Sequence, residues 1–389
     1  MMNTPRRTAG TTTGKIAPMT ANVHTVCWSI PLVCALCAWL MNCVPAQAQP
    51  VQGVTFLATW QNAWLRAAPS VNAPKVTPLV QGATFGVVAR TADSQWLALS
   101  APAANLKAWL PAGFGQVNGN LTSVPVVSYA LPATPKNTNS APWPDWIKLG
   151  PRAKALFQTS IKTGRDGRMF SIAGDSNSTW QRDMGRIASG VFNFDKFGYL
   201  RTVVTRFDPA IARVSVAVHG GIGATNMFDP ALAKQQSSDC ADGEGMFACE
   251  LRQSRASIVF LQLGTGDKFA WRDFEKNTRR MIELALASNV LPVLVTKADD
   301  LESIQGGASF GYINDTLRKL ANEYLLPLVD FYAATRTMPV IPNPELPKRP
   351  FTQFGLQDEW GYYFHLTDEG RALRVQSTLM MLDAITRGM

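Results

Sequence analysis

The alternation of short apolar runs with amphipathic segments in the carboxyl-terminal two-thirds of the chain limits the possible folds most strongly. The runs are rich in Val, Ile and Leu, and they lie at residues 168–173, 201–205, 213–218, 256–263, 291–296 and 328–331. Residues 271–287 and 312–324 carry apolar side chains at helical spacing. Together they predict an α/β domain, with a parallel sheet covered by helices on both faces. Functional residues are then expected beyond the carboxyl ends of the strands.

The first 48 residues have the order of a secretory signal peptide. Residues 1–15 are basic without an acid, residues 26–41 are almost wholly apolar, and a Pro-Ala-Gln-Ala sequence ends at Ala48. We expect cleavage after about Ala48. An uncleaved leader that anchors the protein in a membrane is the alternative, because the apolar run is close to the length of a short span. The protein is therefore predicted to be exported, to a periplasmic, extracellular or cell-envelope location.

Residues 51–120 show a different pattern, in which short runs of alternating polarity are separated by turn residues. Such runs, for example at 63–66, 83–88 and 95–99, predict a small all-β barrel. Residues 121–147 are rich in Pro, Ser, Thr and Asn, which predicts an interdomain linker before the α/β domain at 148–389.

Charge and metal-ligand patterns exclude two classes of function. Residues 1–144 contain eight Lys/Arg and one acidic residue, but these charges are scattered and do not predict a nucleic-acid surface. Attraction to an anionic envelope polymer or a membrane surface stays open. No Cys/His cluster has metal-ligand spacing, so we expect neither a metal nor a cofactor.

The sequence MFSIAGDSNSTW at 169–180 is the strongest candidate for a catalytic segment. Strand-forming residues are followed by Gly174, and Asp175 and Ser176 then begin a cluster that favours a turn and a helix N-cap. Ser176 is therefore expected at the carboxyl end of a strand, with its hydroxyl exposed and helix N–H groups near a developing oxyanion.

Three further segments lie at predicted strand ends or before the last helix. His219 is followed by Gly220 and Gly221, and 256–263 leads into Gly-Thr-Gly-Asp at 264–267. The third segment is His-Leu-Thr-Asp-Glu-Gly at 365–370. Outside the leader, His219 and His365 are the two histidines that could act as a general base at neutral pH.

In order along the chain, these segments resemble the sequence blocks of the SGNH (GDSL-type) serine hydrolases. The resemblance implies a three-layer flavodoxin-like sheet, with Ser176 as nucleophile and His365 as base. It further implies an oxyanion donor at Gly220 or Gly221, and Asp175 and Asp267 as residues that support the site.

Two positions depart from the family pattern. The family has an Asn whose side chain donates to the oxyanion, and Gly266 occupies that position, where a backbone N–H could substitute. The family also has an aspartate three residues before the histidine, where this chain has Tyr362. Asp358 is the nearest candidate to orient His365, with Glu359 and a backbone carbonyl as alternatives.

The order W-L-R-x-x-P-S, then W-L-x-L and A-W-L, within residues 51–120 resembles a bacterial Src-homology-3-like domain. The resemblance implies a non-catalytic module of the kind joined to cell-wall enzymes, and therefore contact with the cell wall.

Four of the six cysteines lie in the leader, which leaves Cys240 and Cys249. In an exported protein we expect them to form a disulfide in the long loop between the second and third blocks. That loop could shape the substrate mouth, or the disulfide could simply restrain it.

The sequence as a whole predicts an exported serine hydrolase that cleaves carboxylic esters through a Ser-His acyl-enzyme. Export and the amino-terminal module suggest O-acyl groups on envelope or extracellular carbohydrate as substrates. The alternatives are a binding or assembly protein on a weakened hydrolase scaffold, and an acyltransferase that uses the same acyl-enzyme.

Overall fold

A computed structural model describes residues 50–101, 106–300, 302, 307–338, 356–359 and 362–389, with the backbone alone for 101, 106, 356–359 and 362–364. The predicted leader, residues 1–48, lies outside the described residues. No helix in the described part of the chain is long and apolar enough to cross a membrane.

The amino-terminal part folds as an antiparallel seven-stranded sheet in the order β3-β2-β6-β5-β4-β1-β7. Its inward residues alternate along the strands, as period-two patterning requires, and Phe56, Leu65 and Leu97 are fully buried. The strands are β1 (Thr55–Ala58), β2 (Trp64–Arg66), β3 (Lys75–Pro78), β4 (Thr84–Arg90), β5 (Trp96–Ala101), β6 (Leu106–Pro111) and β7 (Gly115–Asn118).

The carboxyl-terminal part contains a five-stranded sheet in the order β8-β12-β11-β10-β9, which confirms the predicted α/β class. Its strands are β8 (Ile147–Lys148), β9 (Asp166–Gly174), β10 (Ala256–Gln262), β11 (Leu291–Val295) and β12 (Leu328–Val329). Neighbouring strands are parallel except β8, which pairs antiparallel with β12. Every residue of β10 is buried, as expected for a central strand covered on both faces. A separate hairpin consists of β13 (Leu356–Glu359) and β14 (Tyr362–Leu366).

Two groups of helices cover this sheet. The first group is α1 (Ala153–Lys162), which packs on β9 to β11, and α10 (Asp368–Thr386), which packs on α1, β8 and β12. In the second group, α6 (Met246–Ser254) packs on β9, and α7 (Phe274–Ala287) and α8 (Tyr312–Tyr324) pack on β11. The shorter helices are α2 (Gly185–Ala188), α3 (Arg201–Arg206), α4 (Asp208–Ile211), α5 (Pro230–Gln236) and α9 (Phe331–Thr335).

One predicted strand is wrong, because residues 201–205 lie in helix α3. Leu200, Val203, Val204 and Phe207 are all buried, and their spacing is that of one helix face. Val203 and Val204 therefore follow the helical repeat of 3.6 residues and not the two-residue repeat of a strand.

The predicted strand at 213–218 is also wrong, although the segment runs beside β9. It makes only an isolated parallel bridge between Val218 and Gly174. Side chains provide hydrogen bonds for backbone groups of this segment and of the neighbouring strand β9. Ser215 Oγ donates to the Ile172 carbonyl of β9 at 2.7 Å, and the Val216 N–H donates to the Glu250 side chain at 2.9 Å. These side-chain hydrogen bonds take the place of the regular backbone hydrogen bonds that a paired strand would make.

The predicted linker is attached to the α/β part, and residues 49–389 form one compact unit. Asn137 is buried and donates to Asp383 in α10 at 3.0 Å, and Ile147 belongs to β8. The seven-stranded sheet is attached as well, because Ser70 and Asn72 donate to the buried carboxylate of Asp208.

Candidate active site

Ser176 lies where the sequence predicts, just beyond the carboxyl end of β9. It begins a 3-10 turn over Ser176–Ser178, and the Asp175 side chain caps this turn by accepting from the Asn177 N–H at 2.9 Å. The preceding Gly174 cannot carry a side chain, because a Cβ there would lie 2.4 Å from Ser178 Oγ. The glycine therefore allows the turn to fold tightly against the strand.

The structure brings His365 to Ser176 from the other end of the chain. Its Nε2 lies 3.0 Å from Ser176 Oγ, which is hydrogen-bond distance for a nucleophile and its base. Asn177 fixes this approach, since its side-chain oxygen accepts from the Leu366 N–H at 2.9 Å. Asn177, which follows Ser176, thus fixes the backbone of Leu366, which follows His365.

The glycine pair after 213–218 also lies near Ser176. A Cβ on Gly220 would be 3.8 Å from Ser176 Cβ, and Gly221 adopts a φ of +76° that favours glycine. Within the described residues, the N–H groups of Ser176 and Gly220 have no acceptor in the protein. Both are therefore available to an oxyanion formed at Ser176.

Gly266 is explained by a close backbone contact. A Cβ at this position would lie 2.5 Å from the Ile222 carbonyl oxygen, so an asparagine does not fit without movement of the loop. Gly266 nevertheless lines the same cavity as Ser176 and Gly220. Its side of the cavity therefore offers backbone and the neighbouring Thr265 side chain instead of an amide group.

Asp267 joins the two glycine loops. Its carboxylate is 2% exposed and accepts from the Ala224 N–H at 2.7 Å. Burial raises the pKa of Asp267 to about 7, and the charge of Asp175 contributes to this rise. The side chain thus lies beneath the loops and does not line the cavity.

A second buried charge network lies behind the serine. Arg374 of α10 donates to Ser178 Oγ at 3.1 Å. The negative charges of Asp175 and Asp183 favour the charged form of its guanidinium, although burial lowers its pKa. Asp183 is fully buried, and burial raises its pKa to about 7 against the opposing effects of Arg374 and Arg186. This network fixes the turn that follows Ser176 to the final helix.

The side chain of Asp358, predicted to orient His365, lies outside the described residues, as does that of Glu359. The backbone places Asp358 in β13 opposite Tyr363 of β14, and Gln357 opposite His365. Asp358 is therefore on the strand beside the histidine. His219 does not line the cavity at Ser176. Its backbone N–H donates to the Gly174 carbonyl at 3.2 Å.

Ser176 and His365 open into a cavity of about 670 Å³. Sequence reasoning did not identify six of its lining residues, which are Thr179, Gln181, Arg182, Ile222, Thr265 and Phe269. The first three follow Ser176 within six positions, so proximity in sequence was the available signal. Phe269 follows the Gly-Thr-Gly-Asp segment, and its side chain is 55% exposed.

Cys240 and Cys249 form the predicted disulfide, with their Cα atoms 5.3 Å apart. Glu244 lies close to both sulfur atoms, but the disulfide leaves no thiolate for metal binding at this cluster. Cys249 lies in α6 and Cys240 follows α5, so the bond fixes the loop that joins these helices.

No protein-family model and no curated protein matches the sequence. Solved structures with a similar fold include a member of the lipolytic G-D-S-L family from Veillonella parvula, with 15% identity and a TM-score of 0.32. Another is a GDSL-like lipase from Bacteroides thetaiotaomicron, with 13% identity and a TM-score of 0.34. A third is a variant of an acetylxylan esterase from Geobacillus stearothermophilus, with 13% identity and a TM-score of 0.36. These matches cover 55%, 60% and 56% of this chain and 96%, 96% and 95% of the three structures. The similarity concerns the fold alone.

Proposed function

We propose that residues 148–389 form a serine esterase of the SGNH type, with the three-layer flavodoxin-like arrangement that the resemblance implies. The observation that carries the proposal is the 3.0 Å contact between His365 Nε2 and Ser176 Oγ at an open cavity. A serine hydroxyl is a weak nucleophile until a neighbouring base removes its proton.

The reaction follows from this geometry. His365 Nε2 takes the proton as Ser176 Oγ bonds to the ester carbonyl carbon, and the carbonyl oxygen becomes an oxyanion. The N–H groups of Ser176 and Gly220 donate to that oxyanion, with Gly221 and Gly266 as further candidates on the same cavity wall. Collapse of the intermediate breaks the bond to the alcohol, which leaves with the proton from His365.

The acyl-enzyme is then hydrolysed by the reverse use of the same groups. His365 takes a proton from water, the hydroxide oxygen bonds to the acyl carbon, and Ser176 regains its proton as the carboxylic acid leaves. An alcohol in place of water would give acyl transfer, so an acyltransferase shares every step except the last acceptor. A binding protein with a degraded pocket is not favoured, because the serine and histidine are in contact and open to the cavity.

A fluorophosphonate probe tests the activated serine directly. We expect the mature chain to be labelled covalently and to release acid from short-chain esters. Ser176→Ala and His365→Ala should abolish both. His219→Ala is the matched control, and it should retain labelling because His219 does not line the cavity at Ser176. A folded wild-type protein that neither reacts with the probe nor cleaves esters would refute the proposal.

We also propose export to the periplasm or cell envelope. The order of the leader supports this, as does the Cys240–Cys249 disulfide, since such bonds persist in oxidising compartments. Cell fractionation tests it: protein found in the cytoplasm with two free thiols would contradict export.

For the amino-terminal sheet we propose a Src-homology-3-like module that contacts the cell wall, with the strand pattern of residues 51–120 as support. Sedimentation of the protein with purified cell-wall polymer tests this contact. Protein that stays in the supernatant at low salt would contradict it.

A further inference from the structure

Resting on the esterase function above, we propose that the cavity selects esters carried on acidic polysaccharides, and that Arg182 binds a carboxylate of the polymer. The substrate would be an O-acylated, uronate-type glycan, with the acyl group at Ser176 and a sugar carboxylate at Arg182.

The position of Arg182 is set by the catalytic segment itself. It ends the 3-10 turn Trp180–Arg182, and its N–H donates to the Thr179 carbonyl at 2.8 Å. Its half-buried side chain lines the same cavity as Ser176 and His365. A substrate held at the nucleophile therefore lies within reach of a guanidinium group.

The charges around Arg182 leave this wall positive. Arg186 and Arg371 share one acid, Asp368, at 3.4 and 3.1 Å, and the Asp368 side chain is 71% exposed. Among the described residues, no carboxylate forms an ion pair with Arg182. Burial lowers the pKa of Arg371, and the positive charge of Arg182 lowers it further.

The acid that lines the cavity, Asp175, does not neutralise this charge. Asp175 is 3% exposed, its oxygen accepts from the Asn177 N–H, and its charge faces the buried Arg374. Arg182 therefore presents a positive charge at the cavity wall, while Arg186 and Arg371 pair with the exposed Asp368. Arginine is also the side chain best suited to bind a carboxylate through two parallel hydrogen bonds.

The remaining lining residues favour a sugar over a lipid chain. The Thr179 hydroxyl donates to the Ser176 carbonyl and the Gln181 amide donates to the Gly113 carbonyl, so their oxygens can accept from sugar hydroxyls. Thr265 adds a further hydroxyl at the same cavity. Phe269 adds an exposed aromatic ring at the same cavity, and such a ring can pack against the apolar face of a sugar. A long acyl chain would instead require a continuous apolar wall.

The test compares two polymers that differ only in charge. These are chemically O-acetylated polygalacturonate and the same polymer after amidation of its carboxylates, and acetate release is measured. The charge-assisted hydrogen bonds to Arg182 should give about a tenfold higher kcat/KM on the acidic polymer. Salt at about 0.5 M should reduce this preference, because screening is then strong.

Three variants assign the preference to Arg182. Arg182→Gln should remove most of the ratio between the two polymers, and Arg182→Lys should keep part of it. The control Lys162→Gln removes one exposed positive charge from the last turn of α1, at the opposite end of β9. Lys162→Gln should leave the ratio of kcat/KM on the two polymers unchanged, since the preference comes from Arg182 and not from the net charge of the protein.

Binding separates this inference from the esterase function. Calorimetry of Ser176→Ala with unacetylated polygalacturonate oligomers should show binding that weakens about tenfold when Arg182→Gln is added. Hydrolysis of esters without charge preference, together with no oligomer binding, would overturn the inference and leave the esterase standing. No hydrolysis of any ester would refute the esterase, while binding that depends on Arg182 would still support the anion site.

Discussion

Replacing Asp267 by Asn should make the stability of the protein less dependent on pH between about pH 4 and pH 7. The carboxylate is 2% exposed and one oxygen accepts from the Ala224 N–H, while the other has no hydrogen-bond partner among the described residues. Burial, and secondarily the charge of Asp175, raises its pKa from 3.8 to about 7. Asparagine keeps the accepting oxygen and removes the ionisation.

The sign follows from proton binding. Between the two pKa values the unfolded chain has lost the proton and the folded protein still holds it, so stability falls as pH rises. This stability is fully present below the pKa of the unfolded chain and is lost as pH rises to the folded value of about 7. A difference of about three pKa units corresponds to about 4 kcal/mol of unfolding free energy.

Urea unfolding at intervals from pH 4.5 to 8, at fixed ionic strength, measures the effect. The difference in unfolding free energy between Asp267→Asn and the wild type should change by about 3 kcal/mol across this range, because it begins above the pKa of the unfolded chain. Asp145→Asn, at an exposed carboxyl, is the control and should follow the wild type. Equal pH slopes in Asp267→Asn and the wild type would refute the reasoning. Asp183→Asn should flatten the slope as well, because burial raises the pKa of Asp183 to about 7.

Three further substitutions test contacts of the site and the fold. Asn177→Ala should lower kcat more than it raises KM, because His365 loses the bond that fixes its strand, and it should cost about 1–3 kcal/mol of stability; an unchanged kcat would contradict this role. Gly266→Ala should destabilise by about 1–3 kcal/mol, because its Cβ would meet the Ile222 carbonyl oxygen at 2.5 Å; unfolding at wild-type urea concentration would show that the loop adapts freely. Asp208→Ala should lower the unfolding midpoint, because it removes the acceptor for the amino-terminal sheet; an unchanged midpoint would show that this contact is dispensable.

The sequence by itself identified the α/β class and the residues that chemistry restricts. A candidate nucleophile and base must be particular residue types, so Ser176 and His365 could be proposed without coordinates, and the structure places them 3.0 Å apart. The glycines at 220–221 were proposed because they follow a predicted strand. Long apolar strands were also predicted well, because a fully buried strand such as β10 has an unambiguous composition.

Local pattern failed where long-range contacts decide the backbone. The segment 213–218 has the composition of a strand, but side chains from other parts of the chain satisfy its backbone groups, as Glu250 does for Val216. Residues 201–205 became a helix because the buried face includes Leu200 and Phe207, which lie outside the apolar run. A short window does not contain this information.

Tertiary structure alone decided the environment of the candidate site. The contact between His365 and Ser176 joins residues 189 positions apart, and their approach depends on Asn177. Gly266 is required by a carbonyl from another loop, and the charge at Arg182 depends on which carboxylates fold near it. Residue type specifies what a side chain can do, but its neighbours fix its distances, burial and charge, and those neighbours are distant in sequence.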